Sequence, residues 1–116
     1  MVFDVRRAAG VARDLELIFD FIAQSAEALG EPPEEAFTIA ARRIGAILDA
    51  MERLGQAPYQ GTRRPDLGPN IRHVTKDRAI FYFALDEEAE RLDVLAVFFG
   101  GQDHDARILL RLLAGS

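Results

Sequence analysis

Between Arg63 and Tyr82 the chain places Arg63, Arg64, Arg72, His73, Arg78 and Tyr82 in one short stretch, together with Lys76, its only lysine. A guanidinium is a planar fork that can grip a carboxylate or a phosphate through two parallel hydrogen bonds. A histidine can act as a general base near neutral pH, and an aromatic ring on a strand can stack on a base or seat a partner's side chain. These residue types could clasp a partner's acidic groups. They could also surround a scissile phosphate with cations and supply a proton acceptor. Each also has a structural reading. Arg63, Arg64 and Arg72 could pair with Asp66 and Asp77 at the surface, where such pairs contribute little. Lys76 and Arg78 flank a tight turn, where charge keeps the turn in water. His73 could be a strand histidine satisfied by hydrogen bonds. Phe81 and Phe83 read as sheet core, and Tyr82, in the opposite phase, is the interface candidate of the three.

Other chemistry is sparse. There is no cysteine, which rules out disulfides, zinc–thiolate sites and thiol nucleophiles. Two histidines, His73 and His104, leave little for a metal centre, and His104 lies between Asp103 and Asp105 at a helix start, where capping and surface roles are expected. Gly100-Gly101 has no phosphate-loop context and reads as a strand break. No cofactor, no metal ligand and no catalytic residue is expected.

Charge is unevenly distributed. The 116 residues carry a net −5, but residues 59–78 hold five basic side chains against two acidic ones, so this stretch is +3 and the remainder −8. An acidic chain is poorly suited to phosphate-driven nucleic-acid binding. No apolar run approaches a membrane span and no signal-peptide layout is present, so a cytoplasmic protein with no membrane partner is expected. The length suits a single domain, 1–116.

The elements that must position these residues follow from periodicity. Val2 to Arg7 alternates as a short strand. Leu15, Ile18, Phe19, Ile22, Ala26 and Leu29 form a helical stripe, with Asp14, Glu16, Asp20 and Glu27 outside it, and Gly30 is a terminator. Pro33 with Glu34 and Glu35 opens a second helix, whose face is Phe37, Ala40, Ala41, Ile44, Ile47, Leu48, Met51 and Leu54 and whose stop is Gly55. The short linker makes the two an antiparallel hairpin. Ala57 to Pro69 reads as a loop. Three strands follow, Ile71–Lys76, Ala79–Leu85 and Leu92–Phe99, joined by a tight turn at Lys76-Asp77-Arg78 and a longer one at Asp86–Arg91. Asp103 caps a short final helix with Ile108, Leu109, Leu112 and Leu113 apolar. The expected class is α+β, in the order β-α-α-β-β-β-α: an antiparallel sheet with a helical hairpin on one face and a short C-terminal helix. The last two strands are apolar on both faces, so the second face must also be covered, by the terminal helix, a partner or both.

From Pro58 to Asp103 the chain runs through a Gly/Arg/Pro loop, "DLG", "IRHV", a tight turn, "RAIFYF", an acidic turn and "LDVLAVFFGGQD". This order of elements and residue character resembles the RelE/ParE superfamily of type II toxin–antitoxin toxins, more closely its ParE, or plasmid-stabilisation, branch. The likeness extends from Val2 to Leu113. It implies a bacterial toxin neutralised by a cognate, ParD-like, DNA-binding antitoxin in a hetero-oligomer, and a ParE-type inhibitor of DNA gyrase that acts by protein contact rather than as an enzyme. Two alternatives stay open: a RelE-like, metal-independent, ribosome-dependent mRNA endoribonuclease, and a non-toxic interaction module of the same fold. Members that cleave RNA place basic residues on the central strands and a Tyr or His near the C-terminus. Here no tyrosine follows Tyr82, and the terminal segment offers only His104, Arg107 and Arg111. Phe99 and Gln102 stand where the family often has His and Arg. The resemblance favours target or antitoxin contact through Arg63, Arg64, Arg72, His73, Arg78 and Tyr82.

Overall fold

A computed structural model describes residues 2–100 and 103–114, so Gln102 and its neighbour Gly101 lie outside the described residues. The order is β1 (Asp4–Arg7), α1 (Val11–Ala28), α2 (Pro33–Arg53), a 3-10 turn (Leu54–Gln56), β2 (Thr62–Arg63), β3 (Ile71–Lys76), β4 (Ala79–Asp86), β5 (Arg91–Phe99) and α3 (His104–Leu113). These strands form one sheet in the spatial order β1-β5-β4-β3-β2. From β2 to β5 each strand is antiparallel to its neighbour, while β1 joins the far edge parallel to β5. Only a long connection can return a chain parallel to its first strand, and here everything from α1 to β4 lies between. β2 falls inside the stretch expected to be loop. Its two residues alternate too briefly to leave a periodic signal.

The helical hairpin forms as its stripes require. Pro33 opens α2 behind an extended Pro32, with Glu34 and Glu35 at the positive end of the helix dipole. Val11, Ile18, Ile47 and Met51 reach the sheet and bury against Phe81, Phe83, Leu85, Leu92, Val94 and Val97. Three expected stripe residues stay in water: Ala41 is exposed, Phe37 is 61% exposed and Leu29 88%.

Asp14 differs from expectation. It belongs to the buried face of α1, in phase with Val11 and Ile18, and is only 6% exposed. β1 stops at Arg7, so the outer edge of β5 is uncovered beyond Val94. There Asp14 Oδ2 accepts the Val97 N–H at 3.0 Å. The same carboxylate is bonded by Arg111 of α3, whose Nη1 also donates to the Leu95 carbonyl at 3.0 Å. Gly10 leaves room for that guanidinium, since a Cβ there would stand 2.5 Å from Arg111 Nη1.

The second face is covered by α3. Ile108 packs into a cluster with Ile80, Tyr82, Ala96 and Phe98, bordered by Leu67, Leu95 and Leu112. A bulge in β5 makes the two-faced apolar pattern possible. Tyr82 pairs with Ala96 but Phe83 with Val94, leaving Leu95 without a cross-strand partner. The extra residue shifts the alternation. Leu92 and Val94 therefore face the hairpin, while Leu95, Ala96 and Phe98 serve the α3 side.

Candidate functional site

Side chains alternate faces along β3, and this sorts the cations. His73 stands opposite Tyr82, on the α3 side, and Arg72 stands opposite Phe83, on the hairpin side. β2 pairs Thr62 with His73 and Arg63 with Arg72, so Arg63 follows Arg72 and Arg64 returns to the α3 side. Gly61 permits this close pairing. Its φ is +83°, and a Cβ there would lie 2.3 Å from the His73 carbonyl oxygen.

On the α3 side, Arg64 is the hub. Its Nε and Nη2 donate to the Asp66 carboxylate at 3.1 and 2.8 Å. Its Nη1 donates to the Tyr82 hydroxyl at 3.1 Å and to Asp105 Oδ1 at 2.9 Å, and lies 3.3 Å from His73 Nδ1. The Tyr82 hydroxyl is 2.6 Å from His104 Nδ1 and 3.0 Å from Asp105 Oδ1. One phenolic proton cannot serve both acceptors. If it goes to Asp105, His104 Nδ1–H donates to the hydroxyl oxygen. The His73 ring is 5.2 Å from that of Tyr82 and 5.9 Å from that of His104.

The electrostatics match this geometry. Burial, reinforced by the Asp105 carboxylate, pushes the Tyr82 hydroxyl up to about 12, so it keeps its proton at neutral pH. Burial, with Arg64 alongside, lowers the His73 pKa. Asp66 is held below the usual carboxylate range chiefly by its hydrogen bond from Arg64, and Asp105 by hydrogen bonds from Arg64 and then Tyr82. Those bonds, against the cost of burial, raise Arg64 further above its already high value. One guanidinium faces two carboxylates here, a poor setting for a phosphate but a sound fastening for the N-terminal end of α3. Tyr82 itself is fully buried, so its part here is to join strand to helix under that cover, not to present a ring at an interface.

Arg72 and Arg63 belong to a different place. Arg72 Nη1 donates to the Tyr59 carbonyl at 2.8 Å and its guanidinium stands 5.7 Å from the Tyr59 ring centre. Arg63 makes no hydrogen bond or ion pair to any described residue. Arg78 is elsewhere again, in the two-residue β3–β4 turn, where Asp77 and Arg78 have φ of 50° and 66°. Six residues of strand separate it from Arg72, about 20 Å. Of the six residues singled out, the fold unites Arg64, His73 and Tyr82, pairs Arg63 with Arg72, and leaves Arg78 alone.

Sequence reasoning missed His104, Asp105 and Tyr59 as members of these groups. His104 and Asp105 lie 22 and 23 residues beyond Tyr82, and only the path of α3 brings them back. Asp103 does cap that helix, accepting from the Ala106 N–H. Among the described residues no group of three or more histidine, cysteine or acidic side chains is placed to hold a metal ion, and no helix is long and apolar enough to cross a membrane.

No family model matches the sequence, and no curated protein does. Solved structures do. A chain of the chromosomal ParDE TA system from P. aeruginosa superposes with a TM-score of 0.61 at 20% identity, over 85% of this chain and 97% of that one. A chain of the toxin–antitoxin complex RelBE2 from Mycobacterium tuberculosis does so with a TM-score of 0.56 at 16% identity, over 85% and 99%. This protein therefore shares the fold of these two chains from toxin–antitoxin systems. The expected α+β arrangement of hairpin, sheet and terminal helix is that fold.

Proposed function

We propose that the chain is the toxin component of a type II toxin–antitoxin module: a cytoplasmic, ParE-like protein that inhibits DNA gyrase by contact and is held inactive by a ParD-like, DNA-binding antitoxin. The observation that carries the contact reading is the state of the Arg64 cluster. All three guanidinium nitrogens already serve protein acceptors, two carboxylates stand where a phosphate would have to approach, and the tyrosine keeps its proton. Such a cluster fastens α3 and leaves no uncommitted cation for a scissile phosphate. Support for a partner comes from the outer face of α3, where Leu109, Leu110 and Leu113 are 50%, 67% and 76% exposed. Support for the module comes from the toxin–antitoxin origin of both structural neighbours.

A second reading, a RelE-like ribosome-dependent endoribonuclease, has one observation in its favour: Arg64 and His104 meet at the Tyr82 hydroxyl, and His73 stands against the same guanidinium. Induced expression in bacteria without an antitoxin separates the two. Filamentation and DNA damage with continuing translation is the expected result. Immediate translation arrest with cut mRNA would establish the second reading, and harmless expression would identify a non-toxic interaction module.

A further inference from the structure

Arg63 and Arg72 stand directly opposite each other on an antiparallel pair. Like charges so placed destabilise the pairing. The chain carries 19 acidic residues, yet no described carboxylate makes an ion pair with either guanidinium. Arg63 uses none of its donors, and Arg72 spends Nη1 on the Tyr59 carbonyl. Both line one groove, with Tyr59, Asn70, Leu85 and Glu87. Tyr59 supplies an aromatic wall, half exposed and braced edge-on against the buried Phe3 ring. A backbone hydrogen bond and a ring hold Arg72 in place, so less side-chain freedom is lost when it binds.

We propose that this groove binds a carboxylate side chain of a partner polypeptide, received by Arg63 and Arg72 together and shielded on one side by Tyr59. The occupant is an extended peptide segment. β2 is the outermost strand of the sheet, and nothing described pairs with its free edge. A peptide can set one carboxylate between two guanidinia and continue with uncharged residues. A nucleic-acid strand would carry a charge on every phosphate past Asp86, Glu87 and Glu88, which line the adjoining depression. Glu87 is the groove's own negative charge. It makes no ion pair with either arginine and sets an upper limit on affinity by repulsion. The proposal rests on the reading of the chain as a partner-binding protein, though not on the identity of its target.

The test uses a capped peptide with one central glutamate among valine and serine residues, its glutamine counterpart and a single-stranded RNA, each titrated into the full chain while the arginine Nε–H resonances are followed. The glutamate peptide should shift Arg63 and Arg72 and leave Arg64 in place, and the glutamine peptide should shift neither. Arg72→Lys keeps the charge but loses the fork, and should weaken binding about tenfold. Arg63→Ala should do the same, and Glu87→Gln should tighten it. Equal binding of both peptides, shifts centred on Arg64, preferential binding of the RNA, or no shift with either peptide would each overturn the assignment. Toxicity on expression is a separate readout. A toxic chain whose groove ignores the glutamate peptide refutes this inference alone, whereas a harmless chain that binds it refutes only the toxin reading.

Discussion

The two faces of the sheet are held by different physics. On the hairpin side, two long helices bury an apolar cluster that includes Ile18, Ile47, Met51, Phe81 and Phe83, and area removed from water is the dominant force. On the other side α3 spans ten residues and contributes one fully buried side chain, Ile108. So little area cannot hold a helix of that length. Two polar fastenings make up the difference. One is Arg64 with Tyr82, His104 and Asp105 at its N-terminal end, and the other is Arg111 with Asp14 and the Leu95 carbonyl at its C-terminal end. The lesson is that a thin apolar contact becomes specific when hydrogen-bonded charges fix both ends, and that such a contact responds to charge and pH where the thick one does not.

This contrast can be broken by mutation. Asp14→Ala strands the largely buried Arg111 guanidinium and removes the acceptor for Val97 N–H, so it should cost about 3–5 kcal/mol in urea unfolding. Hydrogen exchange should show the amides of α3 losing protection before those of α2. Arg64→Ala leaves Tyr82 and Asp105 short of a donor and should cost about 2–3 kcal/mol, whereas Arg63→Ala, one residue away, should stay within about 0.5 kcal/mol. Equal costs for the two arginines would refute the division drawn between them.

Smaller effects sharpen the contrast. Arg78 adopts a left-handed conformation that suits glycine, so Arg78→Gly should stabilise the hairpin by about 1 kcal/mol in the same assay. The pH dependence has a definite sign. His73 has a lowered pKa when folded, so the unfolded chain takes up its proton first. Its contribution is complete above the ordinary value of 6.5 and is lost as pH falls through the lowered one. Asp66 and Asp105 act in the same direction from 3.8 downwards. Thermal unfolding should therefore occur at lower temperature as the pH drops below neutral. His73→Gln should remove the upper step and spare the lower, and a profile unchanged by that substitution would exclude His73 as its source.

Much of this was legible in the residues. Period-three-and-four stripes mark the hairpin helices, and apolar runs between turn residues mark β3, β4 and β5, because long elements repeat their pattern often enough to be read. Asp14 was legible in principle, since its spacing from Val11 and Ile18 puts it on the buried face. A charged residue in that phase is the sign of a buried partner. β2 was too short to read, and the bulge at Leu95 leaves no local mark.

The sequence by itself determined the class of fold, the cation-rich stretch and the need for a cover on the second face. Each of these is a property of neighbouring residues, and propensity and periodicity act over that range. Only the tertiary structure decided that Arg64 turns inward to Tyr82 and Asp105 while Arg72 turns outward to Tyr59, with Arg63 beside it in the same groove. That choice depends on the registers of β2 and β3 and on the return of α3 across the sheet. Pairing between distant segments sets both, because each shift of one residue along a strand exchanges the side chains between its two faces.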